Sequence, residues 1–130
     1  MTNNELIKVA NLIGAYIGEQ KTKGQKKLFK IYEKLKPAID KYQADLEDLR
    51  LDNASVDDKG NLILDEKGNY KFNKDGIKKL NKEIKGLGEK EIEFKVIEVV
   101  NPEGLEDYWF LEGWINGVTL NKPDEENIDL

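Results

Sequence analysis

A seven-residue repeat of apolar side chains is the feature that most constrains how this chain can fold. It occupies residues 25–52, and its members lie alternately four and three positions apart: Leu28, Tyr32, Leu35, Ile39, Tyr42, Leu46 and Leu49. An α-helix presents such residues along one side, so the repeat predicts one long helix with an apolar seam that other helices must cover. Pro37 lies opposite the seam and lacks the N–H of an interior helical residue, so we expect a kink or a break there.

Two shorter segments, residues 3–19 and 74–87, also have helical spacing. Asn3 or Asn4 can cap the first, because a short side-chain oxygen accepts a hydrogen bond from the free N–H groups of a helix start. The apolar stripes are Leu6, Val9, Ile13 and Tyr16 in the first segment, and Ile77, Leu80, Ile84 and Leu87 in the second.

Three small residues of the first helix, Ala10, Gly14 and Gly18, fall four positions apart. They predict a smooth groove in which another helix backbone can approach closely, because an interior Gly costs about 1 kcal/mol of helix propensity and close packing would offset that cost. The alternative is that Gly18 simply begins the end of the helix.

An eight-residue repeat follows the long helix. Residues 57–64 read Asp-Asp-Lys-Gly-Asn-Leu-Ile-Leu, and residues 65–72 read Asp-Glu-Lys-Gly-Asn-Tyr-Lys-Phe. Each copy joins a Gly-containing turn to a short apolar run. The repeat predicts a small β-hairpin or meander with strands near residues 61–64 and 69–72.

The C-terminal part of the chain combines a predicted strand with a segment that has two possible structures. Residues 91–100 predict a strand: charged and apolar residues alternate over 91–96, and the segment is then apolar on both sides. For residues 102–118 a helix beginning at Pro102 is favoured, and the alternative is a hairpin turn at residues 101–104 that leads into an aromatic strand. The helical interpretation rests on the spacing of Tyr108, Leu111, Ile115 and Val118.

Together these elements predict an α+β domain over residues 1–120, dominated by an antiparallel helical hairpin of the first two helices. A third helix, a small β-hairpin or meander, and a C-terminal strand with an aromatic segment complete it. Residues 121–130 contain four acidic residues and are predicted to form an acidic, disordered tail.

The composition excludes several kinds of chemistry. The chain has neither Cys nor His, so disulfides, Cys or His zinc sites, and nucleophiles activated by His are impossible. Asn73-Lys74-Asp75-Gly76 matches only the middle of a calcium loop, and no glycine-rich phosphate loop is present. Nothing places two of the carboxylates Glu106, Asp107 and Glu112 in one cleft. We therefore predict no catalytic residue, no cofactor and no metal, and a protein that is not an enzyme.

The charges bear on possible partners. The net charge is −5, and the basic residues are 20 Lys and one Arg, Arg50. Sequence-specific readers of nucleic acid depend on Arg, so we do not expect such a partner. No apolar run is long enough for a membrane span, and the missing signal peptide and Cys residues predict a cytoplasmic protein in a bacterial cell.

Two clusters are candidate contacts for a protein partner. Lys23, Lys26, Lys27 and Lys30 belong to a segment, residues 21–36, with a net charge of +6. They either attract an anionic partner or neutralise the acidic segment beyond residue 101, within the chain or across an oligomer, or are merely solvated. The other cluster is aromatic: Trp109, Phe110 and Trp114. These side chains either fill the core or form an interaction hot spot.

The sequence resembles an uncharacterised family of small accessory proteins encoded by phages and prophages of low-GC bacteria. The resemblance lies in the lysine-rich heptad helix, the turn and strand at residues 65–72, Asn81-Lys82-Glu83-Ile84, and Leu111-Glu112-Gly113-Trp114-Ile115. It implies a phage accessory protein and carries no known active site.

These observations predict a non-enzymatic interaction protein, derived from a phage, that binds and modulates, by inhibition, a bacterial host or defence protein. The alternatives are a structural protein or chaperone in virion assembly and, third, a protein that sequesters a small anionic ligand. The long seam extends beyond what the first helix can cover, so self-association is expected, with a dimer as the predicted state.

Overall fold

The computed structural model of the chain describes residues 1–122 and has a mixed α+β fold made mainly of helices. The helices are α1 (Asn3–Tyr16), α2 (Lys23–Asn53) and α3 (Lys74–Glu89); the strands are β1 (Ile97–Glu98) and β2 (Ile115–Asn116). The chain forms two compact units. The first contains Met1, Glu5–Pro37 and the described residues from Glu93; the second contains Thr2–Asn4 and Ala38–Ile92.

Helix α2 contains the heptad repeat and runs without interruption through Pro37, so the expected break is absent. Pro37 is exposed, and in the first unit Leu28 and Leu35 are fully buried. In the second unit Ile39 is buried, whereas Leu46 and the other later members of the seam are half-buried. The antiparallel hairpin and the covering of the seam by a second copy stay predictions.

The core of the first unit combines residues from both ends of the sequence. Helix α1 contributes Leu6, Val9 and Ile13 of its predicted stripe, whereas Tyr16 is exposed, and the C-terminal part contributes apolar residues from turns and strands. The buried apolar residues are Leu6, Val9, Ile13, Leu28, Ile31, Leu35, Ile97, Leu105, Leu111, Trp114 and Ile115.

The glycines of α1 do not pack as expected. A Cβ atom added at Gly14 would meet no atom within 4 Å, so no helix backbone lies against it. Gly18 lies beyond the helix, which ends at Tyr16, and has a φ of +54°. The alternative interpretation of Gly18 is therefore correct, because a left-handed residue after the last turn is typical of a helix end.

In the second unit, the eight-residue repeat forms two nearly identical turns. In the first, the Asp57 carboxylate accepts hydrogen bonds from the N–H groups of Lys59 and Asn61, at 2.9 and 3.0 Å. In the second, the Asp65 carboxylate accepts from the N–H groups of Lys67 and Asn69, at 2.8 and 3.0 Å. Each turn needs the glycine of its repeat, because Gly60 and Gly68 have φ values of +82° and +80°.

The predicted β-hairpin at residues 61–72 is wrong. The repeat forms only single antiparallel bridges, Val56 to Leu62 and Leu64 to Tyr70, and the sheet of the described chain is the parallel pair β1 and β2. The backbones of Ser55, Ile63 and Lys71 instead form a closed ring. Ser55 N–H donates to Lys71, Lys71 N–H donates to Ile63, and Ile63 N–H donates to Ser55, at 2.8, 3.1 and 3.1 Å.

Helix α3 confirms the predicted helix over residues 74–87 and continues to Glu89. Asn73 caps it, since its side-chain oxygen accepts from the N–H of Gly76 at 2.7 Å. At its other end the buried Asn3 side chain donates to the carbonyl of Leu87 at 2.9 Å. The buried side-chain amide of Asn3 therefore has its hydrogen-bond acceptor within the second unit, at the end of α3.

The helix predicted over residues 102–118 is absent, and the strand predicted over residues 91–100 shortens to β1. Linked turns replace the helix: the N–H groups of Leu105, Tyr108, Leu111 and Trp114 each donate to the carbonyl three residues earlier, at 2.9–3.1 Å. Chain reversals follow, because Gly113 and Gly117 have φ values of +86° and +92°. Residues that repeat every three positions fit linked turns better than an α-helix with 3.6 residues per turn.

Candidate partner-binding groove

One face of α2 and strand β1 border a groove of about 300 Å³ in the first unit. We call it the lysine groove. Its α2 side, its β1 side and the following loop contribute Lys27, Lys30, Ile31, Lys34, Ile97, Glu98, Val99, Val100, Asn101 and Leu105.

The lysine groove takes its charge from the spacing of lysines along α2. Lys27, Lys30 and Lys34 lie three and four positions apart, so a helix places them on one face. The ammonium of Lys27 donates a short hydrogen bond to the carbonyl oxygen of Glu103. Lys30 and Lys34 are exposed, and neither makes a hydrogen bond or an ion pair with any residue in the described part of the chain. Residues 1–122 therefore leave the charges of both ammonium groups unpaired.

The floor of the groove is apolar. Ile31, Ile97 and Leu105 are buried beneath it, and Leu105 is only 1% exposed. At its edge the side chain of Val100 is 98% exposed, although β-branched apolar residues usually bury most of their surface. The groove therefore offers apolar surface beside positive charge.

Strand β1 has one open edge. Ile97 and Val99 donate their N–H groups to the carbonyls of Trp114 and Asn116 on the β2 side, at 3.0 and 2.9 Å. Because the peptide groups of a strand alternate in direction, the N–H groups of Glu98 and Val100 point away from β2. Within residues 1–122 these two N–H groups have no hydrogen-bond acceptor.

The side chain of Glu98, on β1, is hydrogen-bonded to β2. The carboxylate of Glu98 accepts a hydrogen bond from the side-chain amide of Asn116 on β2, at 3.1 Å. It forms no ion pair with Lys30 or Lys34. Glu98 therefore lines the groove without forming an ion pair with its lysines.

A glycine contact holds the loop that borders the groove. The backbones of Gly24 and Gly104 touch, and Gly104 has a φ of +93°. Beside this contact the Lys23 ammonium lies 3.7 Å from the carboxylate of Glu103. The loop carries Leu105, so the contact also positions part of the groove floor.

The four predicted basic residues therefore have different surroundings in the structure. Lys27 and Lys30 line the groove, Lys23 pairs with the acidic loop, and Lys26 lies outside the lining. The pairing with the acidic segment that the sequence left open therefore applies to Lys23, whereas Lys27 bonds to an uncharged backbone carbonyl. Sequence reasoning missed Lys34 and the open strand edge; the spacing from Lys27 to Lys34 was the signal for the former.

The predicted aromatic residues also separate. Trp109 and Phe110 are half-buried and pack around Tyr16 of α1, with ring centroids 5.6 and 5.3 Å from the Tyr16 ring. Trp114 is 3% exposed and packs edge to face on Phe94 at 4.8 Å. Trp114 therefore lies in the core of the first unit, as the core interpretation expects, and presents no surface to a partner.

The start of the predicted tail is held by the first unit. The N–H of Asn121 donates to the carbonyl of Glu106 at 2.7 Å, and the Lys122 ammonium lies 3.0 Å from the Glu112 carboxylate. The other residues of the predicted disordered tail, 123–130, lie outside the described residues.

Metal clusters and membrane spans are not found among residues 1–122. These residues contain no group of three acidic side chains placed to hold a metal ion. None of their helices combines the length and the hydropathy that crossing a membrane demands. No protein-family profile, curated protein or solved structure matches the chain.

Proposed function

We propose that this chain is a non-enzymatic interaction protein and that it binds a protein partner through the lysine groove. The observation that carries the proposal is the pair of exposed lysines, Lys30 and Lys34, with no acidic partner among residues 1–122, directly above an apolar floor. Interfaces combine an apolar centre with a polar or charged rim in this way.

The exposed edge supports the same proposal. Val100 loses almost none of its surface within the chain, and the Glu98 and Val100 N–H groups point away from β2. A partner would bury the side chain and satisfy the backbone. In the bacterial setting that the sequence predicts, the partner is a host or defence protein whose activity the chain inhibits; phage origin, a cytoplasmic location and dimerisation stay predictions.

One observation favours a second candidate. The volume of the lysine groove, about 300 Å³, equals the lower end of the range for small-molecule pockets. A small organic anion with an apolar body would fit the same chemistry. Sequestration of such a ligand is therefore the competing function.

A charge-reversal experiment tests the proposal. We would compare the full chain with Lys30→Glu/Lys34→Glu, and with Lys78→Glu/Lys82→Glu as the matched control. The control reverses two exposed lysines with the same spacing on α3, so the change in net charge is identical. Circular dichroism melting would first establish that all three proteins are folded.

Affinity capture from a bacterial lysate is the measurement. A protein retained by the wild type and the α3 control, lost from the groove variant, and bound directly after purification supports the proposal. Equal capture by all three proteins, or no capture by the wild type, contradicts it. A small anion that copurifies with the wild type and control but not with the groove variant supports sequestration instead.

A further inference from the structure

Resting on the proposed function, we infer that the lysine groove binds an extended acidic segment of the partner, which adds as a strand to the open edge of β1. The occupant is a peptide with carboxylates at alternate positions and apolar residues beside them. The charge of the groove, its open strand edge and the spacing of its lysines each favour such a peptide.

The open edge specifies an extended occupant. Glu98 and Val100 present their N–H groups away from β2 without acceptors among residues 1–122. The peptide groups of an added strand can supply acceptors and donors in register with this edge, as in other cases of recognition by strand addition. A helical partner already uses its own peptide groups within the helix, so it would leave the β1 edge unpaired.

The spacing of the lysines specifies where the carboxylates lie. Lys30 and Lys34 are four residues apart on α2, a rise of about 6 Å along the helix axis. Side chains on one face of a strand repeat every two residues, or roughly 6.6 Å. Carboxylates at alternate positions of the added strand therefore match the two ammonium groups.

The lining of the groove favours protein over nucleic acid. None of the residues that line it is aromatic, and its cations are lysines. Single-stranded nucleic acid is held by stacking of bases on aromatic side chains as well as by positive charge. An acidic peptide needs only the charge, the apolar floor and the strand edge, and an apolar residue beside a carboxylate would cover Val100.

Fluorescence anisotropy with labelled peptides tests this inference. The probe peptide is G-V-D-V-E-V-D-G, which alternates apolar and acidic residues. Three comparison ligands are a scrambled peptide with contiguous acids (G-V-V-V-D-D-E-G), the probe with N-methylated backbone amides, and oligo-dT. The proteins are the full chain, its groove variant, its α3 control, and a version with Asp124, Glu125, Glu126 and Asp129 changed to amides, so that its own acids cannot compete.

We expect the probe to bind the wild type, the α3 control and the amide version alike. Its affinity should fall about tenfold or more for Lys30→Glu/Lys34→Glu, and for the scrambled or N-methylated peptide. Equal affinity for the scrambled or N-methylated peptide, tighter binding of oligo-dT, or no binding of the probe to any of the four proteins would overturn the inference. If the probe fails while partner capture still depends on Lys30 and Lys34, only the strand-addition inference falls; if capture does not depend on them, the proposed function falls.

Discussion

Gly24 of α2 and Gly104 of the loop before the linked turns touch backbone to backbone. A Cβ atom on Gly104 would lie 2.8 Å from the nitrogen and 2.9 Å from the Cα of Gly24, closer than real Cβ contacts. The contact brings Glu103 to Lys23 and Lys27 and positions Leu105 under the lysine groove. The contact between these two glycines, which are far apart in the sequence, therefore positions part of the floor of the lysine groove.

Substitution of Gly24 should destabilise the protein. A Cβ at Gly24 would clash with the carbonyl of Gly104, a backbone atom that cannot rotate away. Overpacking of this kind costs about 1–3 kcal/mol, so Gly24→Ala should lower the free energy of unfolding by that amount in urea titrations followed by circular dichroism.

Gly14→Ala is the matched control, since it adds the same methyl group to α1 where no atom lies within 4 Å. It should raise the free energy of unfolding by roughly 0.5–1 kcal/mol, because Ala restricts the unfolded chain and favours helix. A loss of stability at Gly14 would show that this face is packed against something.

The helices were predictable because their signal is local. The spacing of Leu28, Leu35 and the other seam residues located α2, and a proline on the exposed side did not interrupt it. The apolar residues Tyr108, Leu111, Ile115 and Val118 have helical spacing, yet their segment forms linked turns with hydrogen bonds to the carbonyl three residues earlier. Only tertiary contacts, such as the one between Gly24 and Gly104, distinguish linked turns from a helix.

The candidate site was only partly predictable for the same reason. Lys27 and Lys30 could be selected from the charge of their segment, but the sequence does not show which lysines bond to another residue of the chain. Glu103 lies more than seventy positions from Lys27 and engages it through its backbone carbonyl. The open edge of β1 depends on β2, which the sequence analysis had placed within a helix.

The two tryptophans should respond differently to substitution. Trp114 is buried against Phe94, so Trp114→Ala should cost about 3–5 kcal/mol and unfold much of the protein. Trp109 is half-buried, so Trp109→Ala should cost less and leave a cooperative transition. Urea unfolding followed by circular dichroism distinguishes the two; equal losses would mean that Trp109 is also a core residue.

Pro37→Ala should stabilise α2. Proline inside a helix removes one hydrogen bond and costs up to about 3 kcal/mol, so the free energy of unfolding should rise by roughly 1–3 kcal/mol. Thermal and urea unfolding would measure the gain. Pro102→Ala, outside any helix, serves as the control and should not stabilise the chain; an unchanged stability for Pro37→Ala would contradict the expectation.

The two turns in which Asp57 and Asp65 accept backbone hydrogen bonds should make the second unit less stable in acid. Hydrogen bonds from the backbone N–H groups of Asn61 and Lys59 lower the pKa of Asp57 below its ordinary value of 3.8. The backbone N–H of Asn69 is likewise the main cause of the lowered pKa of Asp65. A folded-state pKa below the unfolded value adds stability that is fully present above pH 3.8 and is lost as the pH falls through the folded value.

The double variant Asp57→Ala/Asp65→Ala measures that contribution. It should be less stable than the wild type in urea at pH 7, and the difference should shrink as the pH falls below 3.8. Asp58→Ala/Glu66→Ala, at the next position of each turn, is the control and should cost less stability at pH 7, because Asp57 and Asp65 are the residues that accept the backbone hydrogen bonds of the turns. A stability difference that does not change with pH would assign the effect of the Asp57 and Asp65 substitutions to something other than their charge.

The ring formed by Ser55, Ile63 and Lys71 also limits how this segment can change in length. Each of the three backbones gives one hydrogen bond and receives one, so the set is saturated at three members. Deletion of one of the two eight-residue copies would leave an N–H donor and a carbonyl acceptor of the ring unpaired, and a third copy would meet no free N–H group in the ring. An open ladder of hydrogen-bonded repeats can gain or lose repeats by tandem duplication during evolution. In this segment the closed ring of hydrogen bonds fixes the number of repeats.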